Sequence, residues 1–151
     1  MHTRLLILTI TIFLVSSATV EAGCYTNLSY LDSMLPRYND PEVEGLRQQI
    51  LNTDLNQALA AAQSQGLSPS QAVSAALQQA DQYDAAAPSA EQCILQSAAG
   101  DPDAIMNSLD SGTYSMGSGG ILWSCAKAYV IWRMGAIANR EAAVGLACLA
   151  Q

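Results

Sequence analysis

Histidine and basic residues are scarce in this chain of 151 residues. The lone histidine, His2, and the lone phenylalanine, Phe13, both lie in an N-terminal segment that we expect to be removed. The processed protein would then have no imidazole, which excludes the commonest general base and a common zinc ligand. Lys and Arg number 6 against 13 Asp and Glu, for a net charge of −7. This acidic balance argues against binding to nucleic acid or anionic membranes, because both need clustered cations.

Catalytic motifs are also scarce. Ser124 and Lys127 have the Ser-x-x-Lys spacing of penicillin-binding proteins and serine β-lactamases, in which a lysine one helical turn on can accept the serine proton. The companion Lys-Thr-Gly element is missing, because Lys127 is the only lysine. We therefore interpret the pair as a buried serine beside a lysine whose ammonium group reaches solvent. The sequence predicts no enzyme activity, no cofactor and no metal site.

The N-terminus has the three parts of a secretory signal peptide, which we place at residues 1–22. Arg4 supplies a short positive region, and Leu5 to Val15 is an apolar run too short to span a bilayer as an ordinary transmembrane helix. Val20 and Ala22 fit the −3 and −1 positions of a cleavage site. The mature protein is therefore expected in the periplasm or outside the cell, with no integral membrane segment.

Residues 23–151 are expected to form a single helical domain after this processing. The end of the leader and Cys24 also resemble a lipobox, but Glu21 stands where that motif has an aliphatic residue. A lipidated Cys24 could not form a disulfide and would leave one thiol over. We therefore prefer simple cleavage over a lipoprotein.

Helix start and stop signals recur along the chain, and strand patterns are nearly absent, so the fold class is all-α. The starts are the Asp-Pro pairs at residues 40–41 and 101–102 and the Ser-x-x-Gln capping boxes at residues 68–71 and 89–92. The stops are Gly66, Pro88 and Gly100. Asn52-Thr53-Asp54 places three cap-forming residues in succession and predicts a kink or restart in the first helix. Helices are predicted near residues 41–65, 69–85, 90–99, 102–109 and 120–150.

The last predicted helix differs from the others because almost every side of it is apolar. Its only charged residues between Ile121 and Leu149 are Lys127, Arg133, Arg140 and Glu141. A helix that is apolar all round is a buried one, so we expect a small bundle packed around this C-terminal helix or helical hairpin. The cations within it argue against a membrane helix. Small residues at alternating four and three spacing predict close approach of a neighbouring backbone; with the single larger Ile131, they are Ser124, Ala128, Gly135, Ala138, Ala142 and Gly145.

The four cysteines, Cys24, Cys93, Cys125 and Cys148, predict two disulfides in an exported chain. If the chain turns near Asn139, a hairpin brings Cys125 and Cys148 level, and Cys24–Cys93 is the second bond. If the helix is continuous, Cys125 and Cys148 are roughly 34 Å apart and each must bond to Cys24 or Cys93. We favour the hairpin pairing.

The most distinctive non-helical stretch runs from Ser111 to Gly120 and is rich in Ser and Gly. Tyr114 and Met116 within it, and Trp123 just after it, belong to residue types favoured at contact surfaces. We take these three as the candidate binding residues, with a plain connector into the last helix as the alternative.

Three classes of function remain. The leading hypothesis is protein binding, as an inhibitor or immunity-type protein or as a periplasmic chaperone, because an acidic surface can steer a basic protein partner. The alternative is a carrier that holds an apolar small molecule or lipid between the helices. A small hydrolase that cleaves saccharides comes third. Its cleft would need aromatic residues, and aromatic residues of all kinds make up only 6% of the chain.

Overall fold

Six α-helices and one short 3₁₀ helix make up the structure, a computed structural model that describes residues 23–115 and 121–151. The predicted signal peptide at 1–22 lies outside the described residues. The 3₁₀ helix spans Ser29–Ser33. The α-helices are α1 (Pro41–Leu51), α2 (Leu55–Ser64), α3 (Pro69–Asp84), α4 (Ala87–Ser97), α5 (Pro102–Ser111) and α6 (Trp123–Leu149).

The all-α prediction is confirmed. Within the two described ranges the structure has no strand, and the nearest approach to one is an isolated bridge between Asn27 and Asp54. None of the helices in those ranges is long and apolar enough to cross a membrane.

Local capping sets most of the helix starts, as predicted. Asp40 caps α1, because its side chain accepts hydrogen bonds from the backbone N–H groups of Glu42 and Val43 at 2.9 and 3.1 Å. Ser68 and Gln71 form both halves of the capping box of α3. Asp54 caps α2, which confirms the predicted break at 52–54 and divides the segment into two helices.

Pro88 was expected to end a helix, and this prediction is wrong. It lies in the first turn of α4, where a missing N–H costs no hydrogen bond and the fixed φ suits the helix. The predicted capping box at residues 89–92 does not form either. The helix has already begun at Ala87, and Ala86 at the N-cap provides no side-chain hydrogen bond.

α6 is the central element, because each of the other α-helices contacts it. Its most extensive neighbour is α3. Val73 near the start of α3 lies beside Ala147 near the end of α6, whereas Tyr83 at the end of α3 packs on Gly135 in the middle of α6. The two helices are therefore antiparallel.

The small residues of α6 permit this close packing, as predicted, although side chains rather than a neighbouring backbone fill the space. A Cβ built on Gly135 would overlap the ring of Tyr83, and one built on Gly145 would overlap a methyl group of Leu55. The first part of the row is not used in this way, because Ser124 and Ala128 are exposed.

The C-terminal segment is one continuous helix rather than a hairpin. Asn139, the expected turning point, lies inside α6, and its side-chain amide donates to the carbonyl of Gly135 at 2.8 Å. The continuous helix separates Cys125 from Cys148 by roughly 34 Å, which is far beyond the reach of a disulfide.

Each cysteine of α6 instead bonds to a cysteine outside it. Cys24 bonds to Cys148 with Cα atoms 5.7 Å apart, and Cys93 bonds to Cys125 with Cα atoms 5.5 Å apart. The two predicted disulfides are confirmed, but the favoured hairpin pairing is wrong. Intramolecular disulfides indicate an oxidising, exported environment. The first bond also occupies the thiol that lipidation of Cys24 would need.

Two glycine substitutions test the packing of α6. Gly135→Ala should lower the free energy of unfolding by about 1–3 kcal/mol, because the added methyl group overlaps the Tyr83 ring. Gly45→Ala in α1 is the control, since no atom lies within 4 Å of a Cβ built there. It should raise the free energy of unfolding by about 0.5–1 kcal/mol through helix propensity. Urea denaturation measures both, and equal effects would contradict the packing.

Candidate functional site

Trp123, one of the three predicted binding residues, is half-buried and held by internal contacts. Its indole N–H donates to Oδ2 of Asp40 at 2.9 Å, and its ring lies 5.1 Å from that of Tyr38. The indole therefore ties the start of α6 to the N-cap of α1. Leu122, its exposed neighbour, has 69% of its surface accessible.

Tyr114 is also half-buried and packs against the hydrophobic core. It lines an open pocket of about 490 Å³ together with Asp101, Ile105 and other residues of α5 and the turn before it. Met116 lies outside the described residues. The structure thus holds Tyr114 and Trp123 by internal contacts, and the binding role of the three residues stays a prediction.

The cations of α6 are bound by carboxylates from other helices. Lys127 lies 3.6 Å from Oδ2 of Asp40 and 3.1 Å from Oε2 of Glu42. Asp40 therefore accepts from Trp123 and pairs with Lys127, two residues one helical turn apart on α6. The Trp123 N–H, more than any other group, holds the pKa of Asp40 below its usual value.

Asp84, the last residue of α3, is held in the same way. The indole N–H of Trp132 donates to its Oδ1 at 2.8 Å, and Arg140 pairs with its Oδ2. These contacts, with the Trp132 hydrogen bond first, lower the pKa of Asp84. The carboxylate thereby joins the end of α3 to two positions on α6.

A third carboxylate, Asp110 of α5, accepts a hydrogen bond from the hydroxyl of Tyr129 at 3.2 Å and forms an ion pair with Arg133 at 3.7 Å. Burial, followed by the charge of Asp110, raises the pKa of the Tyr129 hydroxyl to about 12. Three aromatic residues of α6 thus each donate a hydrogen bond to a carboxylate outside the helix. Each of these carboxylates also forms an ion pair with a cation of α6.

These contacts alter the interpretation of Ser124 and Lys127. Ser124 is exposed, so its expected burial is wrong. The hydrogen bond to Glu42 raises the pKa of Lys127, which favours the protonated amine over the neutral form that a general base needs. The pair resembles an acyl-transfer motif in spacing alone.

The chain holds one fully buried cation among the residues described, Arg47 of α1. Its Nη2 donates to the carbonyl of Asp32 at 3.0 Å and pairs with the Asp32 carboxylate. Asp32 also binds Arg37 at 3.2 Å, so the 3₁₀ helix is tied to α1 by a shared carboxylate.

Every Lys and Arg of the described ranges is therefore ion-paired: Arg37, Arg47, Lys127, Arg133 and Arg140. The acids that form no ion pair there are Glu44, Asp54, Asp81, Glu91, Asp101, Asp103 and Glu141. The net negative charge of the protein is consequently carried by acids whose charge no cation neutralises.

An apolar groove lies between the start of α3 and the end of α6, and we call it the α3–α6 groove. Its volume is about 490 Å³, and its lining is Pro69, Ser70, Val73, Ser74, Ala147 and Ala150. One turn further along each antiparallel helix lie Leu77 and Val144, which are 45% and 66% exposed. The pair Arg140–Asp84 lies beyond them.

Two other exposed large apolar side chains have a different setting. Tyr25 stacks on Tyr30 with ring centroids 4.3 Å apart, and Met34 lines a smaller pocket against α5 and α6. Isolated exposed apolar residues are ordinary on protein surfaces. The α3–α6 groove is distinct because Leu77 and Val144 extend an apolar lining that is itself open to solvent.

Comparison of the chain with protein-family models, with curated proteins and with solved structures gives no match. The candidate site therefore rests on the chemistry and geometry of the residues themselves.

Sequence reasoning did not find the groove. Val144 belongs to the last helix, which was expected to be buried on all sides. The available signal was the narrow, alanine-rich face of α3, which is too thin to cover the end of a helix that is apolar all round.

A pH series tests the role of Asp84. A carboxylate with a lowered pKa contributes stability that is present above its unfolded pKa, near pH 4, and is lost as the pH falls through its folded pKa. Asp84→Asn should lower the free energy of unfolding at pH 7 by about 1 kcal/mol, allowing for the partial exposure of the pair. The difference from the wild-type protein should shrink below about pH 4.

The measurement is urea denaturation between neutral pH and pH 2. Asp81→Asn is the matched control, because Asp81 is an exposed acid of the same helix with no ion pair in the described part of the chain. It should change the free energy of unfolding by less than about 0.5 kcal/mol. A deficit for Asp84→Asn that persists unchanged to pH 2 would contradict the assignment.

Proposed function

We propose that this protein is exported and acts by binding another protein, in the manner of an inhibitor, an immunity-type protein or a periplasmic chaperone. The observation that carries the proposal is the α3–α6 groove, with Leu77 and Val144 exposed along it. Apolar side chains gathered on an open groove lose contact with water when a partner covers them, which favours association.

The state of the polar side chains supports the same proposal. The cations of α6 are bound to carboxylates of other helices, and its Trp and Tyr polar groups donate to those same carboxylates. Groups engaged in this way hold the helices together and are not available to act on a substrate. The disulfides Cys24–Cys148 and Cys93–Cys125 keep such a scaffold rigid outside the cell, and a rigid surface loses little entropy on binding.

The carrier of an apolar small molecule is the second candidate, because the volume of the groove is large enough for one. Small-molecule sites usually bury most of the ligand surface. A ligand in the α3–α6 groove would keep one side in water, which favours a protein partner instead. Native mass spectrometry of gently purified protein separates the two, because a carrier should retain a lipid or another apolar ligand.

Site-specific photo-crosslinking tests protein binding. A photoreactive residue placed at Leu77 or at Val144 should give, in the native host, a covalent adduct with the same partner protein, identified by mass spectrometry. The same residue placed at Ala75 is the control, since Ala75 is exposed on α3 but does not line the groove. Absence of adducts at both groove positions, or identical adducts at Ala75, would contradict the proposal.

A further inference from the structure

We propose that the α3–α6 groove receives an amphipathic helix of the partner, and that the helix carries Lys or Arg beside its apolar face. This inference rests on the proposed function and adds the chemistry of the partner segment. It is carried by two independent features, the shape of the groove and the electrostatics of the surface around it.

The shape of the groove matches a helix. Its two walls are antiparallel helices, and α6 rises about 14 Å between Arg140 and Leu149. A partner helix of about two to three turns spans that length and presents apolar residues at positions i, i+3, i+4 and i+7. Small side chains at Ser70, Ser74 and Ala147 let the ridge of such a helix approach closely.

The apolar contacts lie towards one end of the groove. Val73 and Leu77 are one turn apart on α3, and the exposed Val144 lies about one turn before Ala147 on α6. The ion pair Arg140–Asp84 follows and ends the apolar stretch. An incoming helix can thus bury an apolar residue between Leu77 and Val144 while its flanks remain near polar groups.

The electrostatics select a cationic helix. Asp81 lies one turn beyond Leu77 on α3, is exposed and has no ion pair in the described ranges. Arg140, the cationic side chain nearest to Val144 along α6, is already paired with Asp84. The described side chains around the groove therefore offer an approaching chain an unneutralised carboxylate but no unpaired cationic side chain, within a protein of net charge −7. Lys or Arg beside the apolar face is attracted, whereas Asp or Glu is repelled.

The same charge argues against two other occupants. A second copy of the chain brings a further −7 charge to the contact. An anionic membrane surface is repelled for the same reason. Both remain outcomes that the experiment below can detect.

Two synthetic peptides of fourteen residues serve as probes of the groove. One has Leu at i, i+3, i+4 and i+7 with Lys elsewhere, and the other has Glu in place of every Lys. Fluorescence anisotropy of the labelled peptides with the disulfide-bonded protein gives the Kd. The Leu/Lys peptide should bind, with amide NMR shifts concentrated at Val73, Leu77, Val144 and Ala147, and the Leu/Glu peptide should bind at least tenfold more weakly.

Variants then locate the binding. The double substitution Leu77→Ser, Val144→Ser should weaken binding of the Leu/Lys peptide tenfold or more, because it removes apolar contacts and leaves the net charge unchanged. Asp81→Asn should weaken it about two- to fivefold. Leu95→Ser is the control: Leu95 is exposed on α4, away from the groove lining, and its replacement should leave the Kd unchanged. Circular dichroism confirms that each variant is folded.

Several results would overturn the inference. Equal affinity for the Leu/Glu peptide is one, and unchanged affinity for the Leu/Lys peptide in the Leu77→Ser, Val144→Ser double variant is another. Self-association of the protein in sedimentation that this variant abolishes would assign the groove to a second copy of the chain. Binding to phosphatidylglycerol vesicles that the same variant abolishes would assign it to a membrane. A crosslinked partner whose contact segment is not a cationic helix would overturn this inference alone, whereas absence of any adduct at Leu77 and Val144 overturns the proposed function as well.

Discussion

The burial of α6 is the constraint on which the rest of the structure depends. A helix of 27 residues with few charged side chains is poorly solvated, and every other α-helix contacts it. The helix has too many small residues to fill a core by itself. Tyr83 and Leu55 complete it by packing against Gly135 and Gly145. The positions of the neighbouring helices therefore depend on the glycines of α6 as well as on its apolar side chains.

Burial of α6 also determines the charge of the surface. Its cations need partners, and carboxylates at or near the ends of other helices supply them: Asp40 at the N-cap of α1, Asp84 at the end of α3 and Asp110 near the end of α5. Each contact fixes the end of a helix against α6. Because the few cations are used in this way, the remaining surface acids are unneutralised. The demands of folding thus leave the described surface with a net negative charge.

Local signals predicted what depends on one helical turn. The caps at Asp40 and Ser68 and the break at 52–54 appear as expected, because an N-cap needs only a side chain and the N–H groups two or three residues on. Pro88 shows the limit of such signals. Proline is compatible both with the residue after a helix and with its first turn, and Pro88 takes the first turn of α4.

The sequence by itself determined the helical class, the number of disulfides and the central position of the last helix, because these follow from local capping, cysteine count and the amount of apolar side chain. Only the tertiary structure decided that Cys24 bonds to Cys148, that Lys127 is held by Asp40 and Glu42, and that Leu77 and Val144 remain exposed. These outcomes join residues far apart in the chain. They depend on which helix faces pack against α6. Leu77 and Val144 stay exposed because the apolar face of α3 is too narrow to cover the end of α6.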